Sequence, residues 1–250
     1  MTTSSFHQLI EEAEAAPFSG WDFSFLEGRM HSGDLPWDYR ARVRQHLPAA
    51  STLLDMGTGG GEFLSSLRPL PPATYATEAH PPNLPVARAR LAPLGVNVVA
   101  VEDDEHLPLP GSTFDLVINR HERFIAAELA RILRPGGHFI TQQVGEQNLD
   151  ELNRWLTGSG RGKNRSYLQT ALSHLKAAGL RITTADEAFV EVRFEDVGAL
   201  VYLLRAVPWQ LPGFSVATYE PRLRELHDQI QNHGPLVARD HRYYLEVEKA

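Results

Sequence analysis

The chain contains no cysteine. That absence excludes a disulfide framework, a thiol nucleophile and a thiolate metal site. It also lacks any apolar run near the ~20 residues needed to cross a bilayer. Its opening residues, Met1-Thr2-Thr3-Ser4-Ser5, have neither the basic flank nor the apolar core of a signal peptide. The expectation is a cytoplasmic protein without membrane association. Histidines are present, but none are spaced as close metal ligands. The pattern H-E-x-x-H, begun by His121-Glu122, needs a histidine at 125, where Ile125 stands. No metal cofactor is expected. Basic residues are outnumbered, 24 Lys and Arg against 31 Asp and Glu, for a net charge of −7. A negative field opposes a long nucleic-acid backbone, although a local basic patch can suffice. The best such patch is 154–165, with Arg154, Arg161, Lys163 and Arg165 and no acid. It reads as a solvated cationic loop or as an RNA contact.

Apolar content of 42% and charged content of 22% are ordinary for a globular protein, and 250 residues can bury a substantial core. The most informative stretch is Leu53-Leu54-Asp55-Met56-Gly57-Thr58-Gly59-Gly60-Gly61-Glu62-Phe63-Leu64. It reads as a buried strand, a glycine turn and the start of a helix whose free amides face a ligand. Glycine lets backbone and ligand approach closely. The acidic residue before the turn argues for a ligand carrying an amine beside its sugar, rather than a bare pyrophosphate. The dinucleotide fingerprint G-x-G-x-x-G, counted from Gly57, needs glycine at 62 and finds Glu62. A purely structural glycine turn is the third reading.

Asp55-x-Gly57-x-Gly59-x-Gly61 resembles the first motif of the class I methyltransferases that use S-adenosylmethionine, the type 11 group among them. The resemblance implies that Asp55, Gly57, Thr58 and Gly59 contact the methionine end of that cofactor. It also implies a ribose-binding carboxylate at the tip of the next strand, which Glu78 matches, after Thr74-Tyr75-Ala76-Thr77. Glu78 read from its residue type alone is equally a solvated strand-end charge. Beyond Val98-Val99-Ala100-Val101, the acidic stretch before Leu107-Pro108 places Asp103 where the family meets the adenine amino group. That cluster can also be only a solvated loop. Thr113-Phe114-Asp115-Leu116-Val117-Ile118-Asn119 resembles the family's fourth strand, with Asp115 a structural cap and Asn119 at the cofactor. Arg134-Pro135-Gly136-Gly137 resembles its turn before the fifth strand, a purely architectural feature. The resemblance covers about residues 50 to 145.

The implied fold is α/β, a doubly wound, mostly parallel seven-stranded Rossmann-like sheet. Residues 1–49 read as an N-terminal helical cap, 50–194 as the cofactor-binding core, 195–235 as a lid insertion and 236–250 as the last strand of the core. Short helices are expected at 7–15 and from Asp34 with Pro36 in the first turn. Further helices are expected at 149–156 and 166–178, at 195–204 and from Pro221. Strands are expected at 180–184, 188–194 and 242–247. With parallel βαβ units, Asp55, Glu78, Asp103 and Asn119 fall at strand carboxyl ends and line one crevice.

Methyl transfer needs positioning, and a general base only where the acceptor must lose a proton. His121 is the candidate base, with Glu122 orienting it or acting as base itself; a hydrogen-bonded loop histidine is the alternative. The chain lacks the Asn/Asp-Pro-Pro-Tyr type of motif used for amino groups of nucleic acids and proteins. The expected acceptor is therefore a small molecule, with an RNA or protein methyltransferase or a non-catalytic cofactor-binding partner as alternatives. Trp37 and Tyr39 are expected to close over the cofactor. Gln142 is expected to hydrogen-bond the acceptor, and Trp209 and Phe214 to form an apolar wall for it, although plain packing explains each aromatic equally well.

Overall fold

A computed structural model describes residues 5–18, 21–103, 105–160 and 166–250. The cationic positions 161–165 and Asp104 lie outside the described residues. In chain order the elements are α1 Phe6–Ala15, β1 Met30–Ser32, α2 Tyr39–His46, β2 Thr52–Met56, α3 Glu62–Ser65, β3 Ala73–Glu78, α4 Asn83–Leu91 and β4 Asn97–Ala100. They continue with β5 Phe114–Arg120, α5 Ala126–Ile132, β6 Leu133–Val144, α6 Asp150–Thr157, α7 Tyr167–Ala177, β7 Leu180–Phe194, α8 Val197–Ala206, α9 Val216–His233 and β8 Leu236–Lys249.

Two compact units divide these elements. The larger comprises Pro36–Gly145, Arg165–Ala188 and Arg242–Ala250. Its strands run in the order β7-β8-β6-β5-β2-β3-β4. The pairs β4–β3, β3–β2, β2–β5 and β5–β6 are parallel, and β6–β8 is antiparallel. Buried on both faces, β5 reads as an almost continuous apolar run, Phe114 to Ile118, and β2 buries Leu53 to Met56. Leu54, Met56, Val117, Leu129, Phe139 and Leu175 belong to one core here. Between Phe114↔Leu133 and Leu116↔His138 the register shifts, and Arg134-Pro135-Gly136-Gly137 bulges out with Gly136 at φ 74°.

The smaller unit comprises Met1–Leu35, Glu146–Asn164 and Phe189–His241. Leu9 and Ile10 of α1 share a core with Leu152 of α6, Leu200 and Leu204 of α8 and Leu226 of α9. That shared core is why the unit boundaries fall elsewhere than 49/50, 194/195 and 235/236. Phe6, Leu9, Ile10, Ala13 and Leu26 are buried with helices from later in the chain. In this unit β1 pairs antiparallel with the Val192–Phe194 end of β7, an eighth strand beyond the seven expected.

Three expected boundaries are corrected. α2 begins at Tyr39, not Asp34, because Asp38 caps it by accepting from the Ala41 amide at 3.0 Å. Leu180–Phe194 is one strand, not two. α9 begins at Val216, capped by Ser215 accepting from Thr218 N at 3.2 Å, and carries Pro221 inside it.

Candidate active site

The site elements all lie in the larger unit. The glycine turn follows β2, with Gly57, Gly59 and Gly61 at φ 66°, 61° and 81°. These left-handed conformations are what glycine supplies. Most amides of the turn are satisfied within the protein. Gly57 N donates to Thr77 Oγ1 at 3.3 Å and Thr58 N to Thr77 O at 2.9 Å. Gly59 N donates to Glu78 Oε2 at 2.7 Å, and Gly61 N to Thr58 O at 3.0 Å. The helix after the turn is only four residues, Glu62–Ser65. The helix expected to point its free amides at a ligand is thus a single short turn, and the amides of 57, 58, 59 and 61 are engaged within the protein.

Asp55 and Glu78 lie near the ends of the neighbouring strands β2 and β3, Asp55 being in register with Ala76, two residues before Glu78. Asp55 is buried and accepts from Thr58 Oγ1 at 2.7 Å. Burial pushes its carboxyl up to about 7, the Thr58 hydroxyl and Arg120 pull the other way, and the Glu78 charge adds to the rise. Glu78 is buried too, accepting from Gly59 N through Oε2 and from His80 N through Oε1 at 2.6 Å. Each of its oxygens keeps a second lone pair. Asp103 lies beyond the end of β4 and is exposed. It accepts from the amides of Glu105 at 2.8 Å and His106 at 3.0 Å, and these bonds, from His106 first, hold its carboxyl below the usual range.

At the tip of β5, Asn119 is fully buried. Its Oδ1 accepts from Gln143 Nε2 at 2.7 Å and Thr141 Oγ1 at 3.2 Å, and its Nδ2 has no partner. The Tyr39 hydroxyl donates to Asn119 O at 3.0 Å and accepts from Asn119 N at 3.2 Å. Its donor is thus committed to β5. Desolvation raises its pKa well above the phenol range. Asp115, at the start of β5, accepts from Ser51 N and Thr52 N and pairs with Arg134, so its role is architectural.

Beyond β5, His121 adopts a left-handed backbone at φ 67°, uncommon for a residue with a Cβ and a frequent mark of functional segments. Its amide donates to Gln142 O at 2.9 Å, and its Nε2 lies 3.1 Å from Gln142 Nε2. Gln142 Oε1 in turn accepts from Trp37 Nε1 at 2.9 Å. The buried Gln142 amide is therefore engaged at both ends, by Trp37 and by His121. Desolvation, then Arg242 and Arg120, lower the His121 pKa; the residue keeps a solvent-accessible side, which moderates the effect without reversing it. The Glu122 side chain lies against Gly57, where an added Cβ would come within 2.6 Å of Glu122 Cβ and 2.8 Å of its Oε2.

Asp55, Gly57, Thr58, Gly59 and Glu78 form one hydrogen-bonded group. Tyr39, Asn119, His121, Glu122 and Gln142 are linked along the adjoining ends of β5 and β6. Trp209 and Phe214 belong to the smaller unit, where Trp209 meets Trp21 edge-on at 5.9 Å and Phe214 stacks on Tyr219 at 5.7 Å. The sequence reading missed Trp37 as a partner of Gln142 and gave no role to Arg120 and Arg242. Only the strand register, Arg120↔Gln142 and Val144↔Arg242, shows them near one another. Among the described residues, no group of three or more His, Asp or Glu is arranged to hold a metal ion. None of the described helices is long and apolar enough to cross a membrane.

A doubly wound sheet with acidic tips on two neighbouring parallel strands, bracketing a glycine turn, is the architecture of a Rossmann-like methyltransferase. Comparison with known proteins agrees. A family profile described as a methyltransferase domain matches residues 54–141. The chain is 24% identical over 206 residues to a malonyl-acyl-carrier-protein O-methyltransferase of Marinomonas sp. (strain MWYL1), covering 75% of this chain and 76% of that protein. It is 34% identical over 110 residues to a phthiotriol/phenolphthiotriol dimycocerosates methyltransferase of Mycobacterium leprae (strain TN), covering 38% and 39% respectively. A solved protein of unknown function from Deinococcus radiodurans R1 shares the fold, with a TM-score of 0.62 at 16% identity over 88% of this chain and 91% of that one. The chain thus carries a methyltransferase domain at 54–141 within a Rossmann-like α/β fold.

Proposed function

We propose that this protein moves a methyl group from S-adenosylmethionine to an oxygen, nitrogen or carbon atom of a small-molecule acceptor in the cytoplasm. The observation that carries the reading is the pair of buried carboxylates, Asp55 and Glu78, flanking a turn whose glycines leave room for a ligand. The residues fit the cofactor. Asp55 offers a carboxylate to its amino group, and Glu78 offers its remaining lone pairs to ribose hydroxyls. Asp103 offers an acceptor to the adenine amine. Asn119 Nδ2, a buried donor with no protein acceptor, suits a ligand oxygen. The bound cofactor supplies a methyl carbon on a positively charged sulfur. The chain supplies position and charge.

Titration calorimetry with S-adenosylhomocysteine tests the reading. Binding with an affinity lost in Glu78→Ala supports it. A thermal shift with NAD and none with S-adenosylhomocysteine would overturn it. Cofactor binding with no turnover of any acceptor would make the protein a non-catalytic partner. Strong, salt-sensitive RNA binding would point to an RNA substrate.

A further inference from the structure

His121 is held in one tautomer by a chain of two hydrogen bonds. An indole nitrogen only donates, so Trp37 Nε1–H at 2.9 Å fixes the near end of the Gln142 amide as its oxygen. The far end is then the amide NH₂, which also only donates, and it lies 3.1 Å from His121 Nε2. His121 Nε2 must accept. In the neutral ring the single proton therefore sits on Nδ1. Burial and the nearby Arg242 and Arg120 favour that neutral ring. Both ring nitrogens are thereby unsuited to taking a proton. The lone pair on Nε2 is occupied, and Nδ1 already carries hydrogen. One side of the ring packs against Gln142 and the arginines and is desolvated; on the open side His121 presents an N–H donor with no protein acceptor among the described residues.

The surroundings have the same polarity. Arg120 is in register with Gln142 on the neighbouring strand. Val144↔Arg242 lies two residues beyond Gln142↔Tyr244, so Gln142 and Arg242 face the same side of the sheet. Arg120 is exposed, packs over the Phe63 ring at 5.3 Å and forms no ion pair with a carboxylate among the described residues. A donor flanked by cationic side chains is the chemistry of an anion site.

We infer that the methyl acceptor carries a carboxylate, seated on the His121 Nδ1–H and the Arg120 guanidinium, and that the product is its methyl ester. The inference rests on the methyltransferase reading and narrows its acceptor. A carboxylate is already nucleophilic at neutral pH, so its methylation needs no general base. One carboxylate oxygen bonds to the methyl carbon as the carbon–sulfur bond breaks. The bonding pair stays on sulfur, the sulfonium becomes a neutral thioether, and no proton moves. His121 is then an acceptor-binding residue, and Trp37 and Gln142 are positioning residues.

The same cationic chemistry has a second source, the carboxylate of the cofactor's own amino-acid end. Calorimetry separates the two. Measured well above the Asp55 titration range, so that this carboxyl is ionised in both proteins, Arg120→Met should leave the affinities for S-adenosylhomocysteine and for methylthioadenosine, which lacks the amino-acid end, both within about threefold of wild type. A tenfold loss confined to S-adenosylhomocysteine would assign Arg120 to the cofactor and overturn the inference. For the acceptor, the full-length protein is incubated with methyl-tritiated S-adenosylmethionine and a deproteinised small-molecule extract. Most of the transferred label should be released as volatile methanol by mild alkali, as methyl esters require. Label stable to alkali would overturn the inference. Absence of any S-adenosylhomocysteine binding would instead sink the underlying methyltransferase reading. Nitrogen-15 spectra of labelled histidine should show His121 protonated at Nδ1. His121→Asn, whose amide can replace the Nδ1–H, should retain much of the ester-forming rate while His121→Ala loses tenfold or more. Protonation at Nε2, or equal loss in both variants, would restore the base assignment.

Discussion

Gly57 and Glu122 touch across the site: a Cβ added to the glycine would fall 2.6 Å from Glu122 Cβ. The turn after β2 and the segment after β5 are thus packed so closely that the glycine cannot take a side chain. Gly57 also sits at φ 66°, where an L-residue is disfavoured by roughly 1–2 kcal/mol. Gly57→Ala is expected to lower stability by about 2–3 kcal/mol, strain and overlap together, and to displace Glu122. Chemical denaturation reads the first effect, and loss of S-adenosylhomocysteine binding heat reads the second. A stable variant with unchanged affinity would mean that Glu122 moves freely and that this contact does not shape the site.

Asp55 gives the site a pH dependence of definite sign. Its carboxyl is pushed up to about 7 by burial, so near neutrality it is only partly ionised. A ligand amine stays protonated throughout this range and pairs only with the ionised form. Cofactor affinity is therefore expected to rise from pH 5.5 to 8 and level off above about 7, falling up to tenfold per pH unit below that. The contribution to folding runs the other way. With its folded pKa raised from 3.8, Asp55 holds a proton that the unfolded chain releases, so its share of stability is lost as pH rises from about 4 through 7. Asp55→Asn should flatten both profiles, gaining stability at pH 8 while losing affinity. Calorimetric titrations and denaturation curves across pH check both halves.

The parallel core was legible because its signals are local. Leu53-Leu54, Val98-Val99 and Leu116-Val117-Ile118 are short apolar runs, and the glycine turn marks the end of the first strand. Proline and charge misled elsewhere. Pro221 lies six residues into α9, where it forfeits only one backbone bond near the N-terminus, yet it reads as a helix start. Asp186-Glu187 looks like a break, but mid-β7 is exposed, so charges there face water without interrupting the strand. Asp55 and Glu78 drew notice through their places at strand ends beside the glycine turn and through the motif resemblance. The Trp37–Gln142–His121 chain was not, because it joins residues about a hundred positions apart and depends on which end of an amide faces which partner. No periodicity encodes that choice.

Asp115 supports β2 from the opposite end of the sheet. Its Oδ2 accepts from Ser51 N at 2.7 Å and Thr52 N at 2.9 Å, and its amide donates to Thr52 Oγ1 at 2.8 Å. Asp115→Ala would leave two backbone amides at the start of β2 without their acceptor and Arg134 without its counter-ion. A loss of about 3 kcal/mol is expected, since bonds to a charged group are worth more than neutral ones. Asp115→Asn keeps an acceptor and should lose roughly half of that. Cofactor affinity, measured where both variants are folded, should stay within about twofold of wild type, because Asp115 lies far along β5 from Asn119.

Trp37 isolates the positioning of His121 from its chemistry. Trp37→Phe removes the indole donor while keeping an aromatic ring to pack near Tyr244, 5.8 Å away. The buried Gln142 oxygen then loses its partner, and a cost of about 1–3 kcal/mol is expected. More telling is the amide itself. With no indole to define its oxygen end, Gln142 can turn over and offer that oxygen to His121 Nε2, which then takes up the proton. Histidine nitrogen-15 spectra of the variant should therefore show a mixture of tautomers where the wild-type protein shows one, and ester formation should fall in proportion to the Nδ1–H form that remains. A single unchanged tautomer in Trp37→Phe would place the control of His121 in its own left-handed backbone and the nearby Arg120 and Arg242 charges rather than in the Trp37–Gln142 chain.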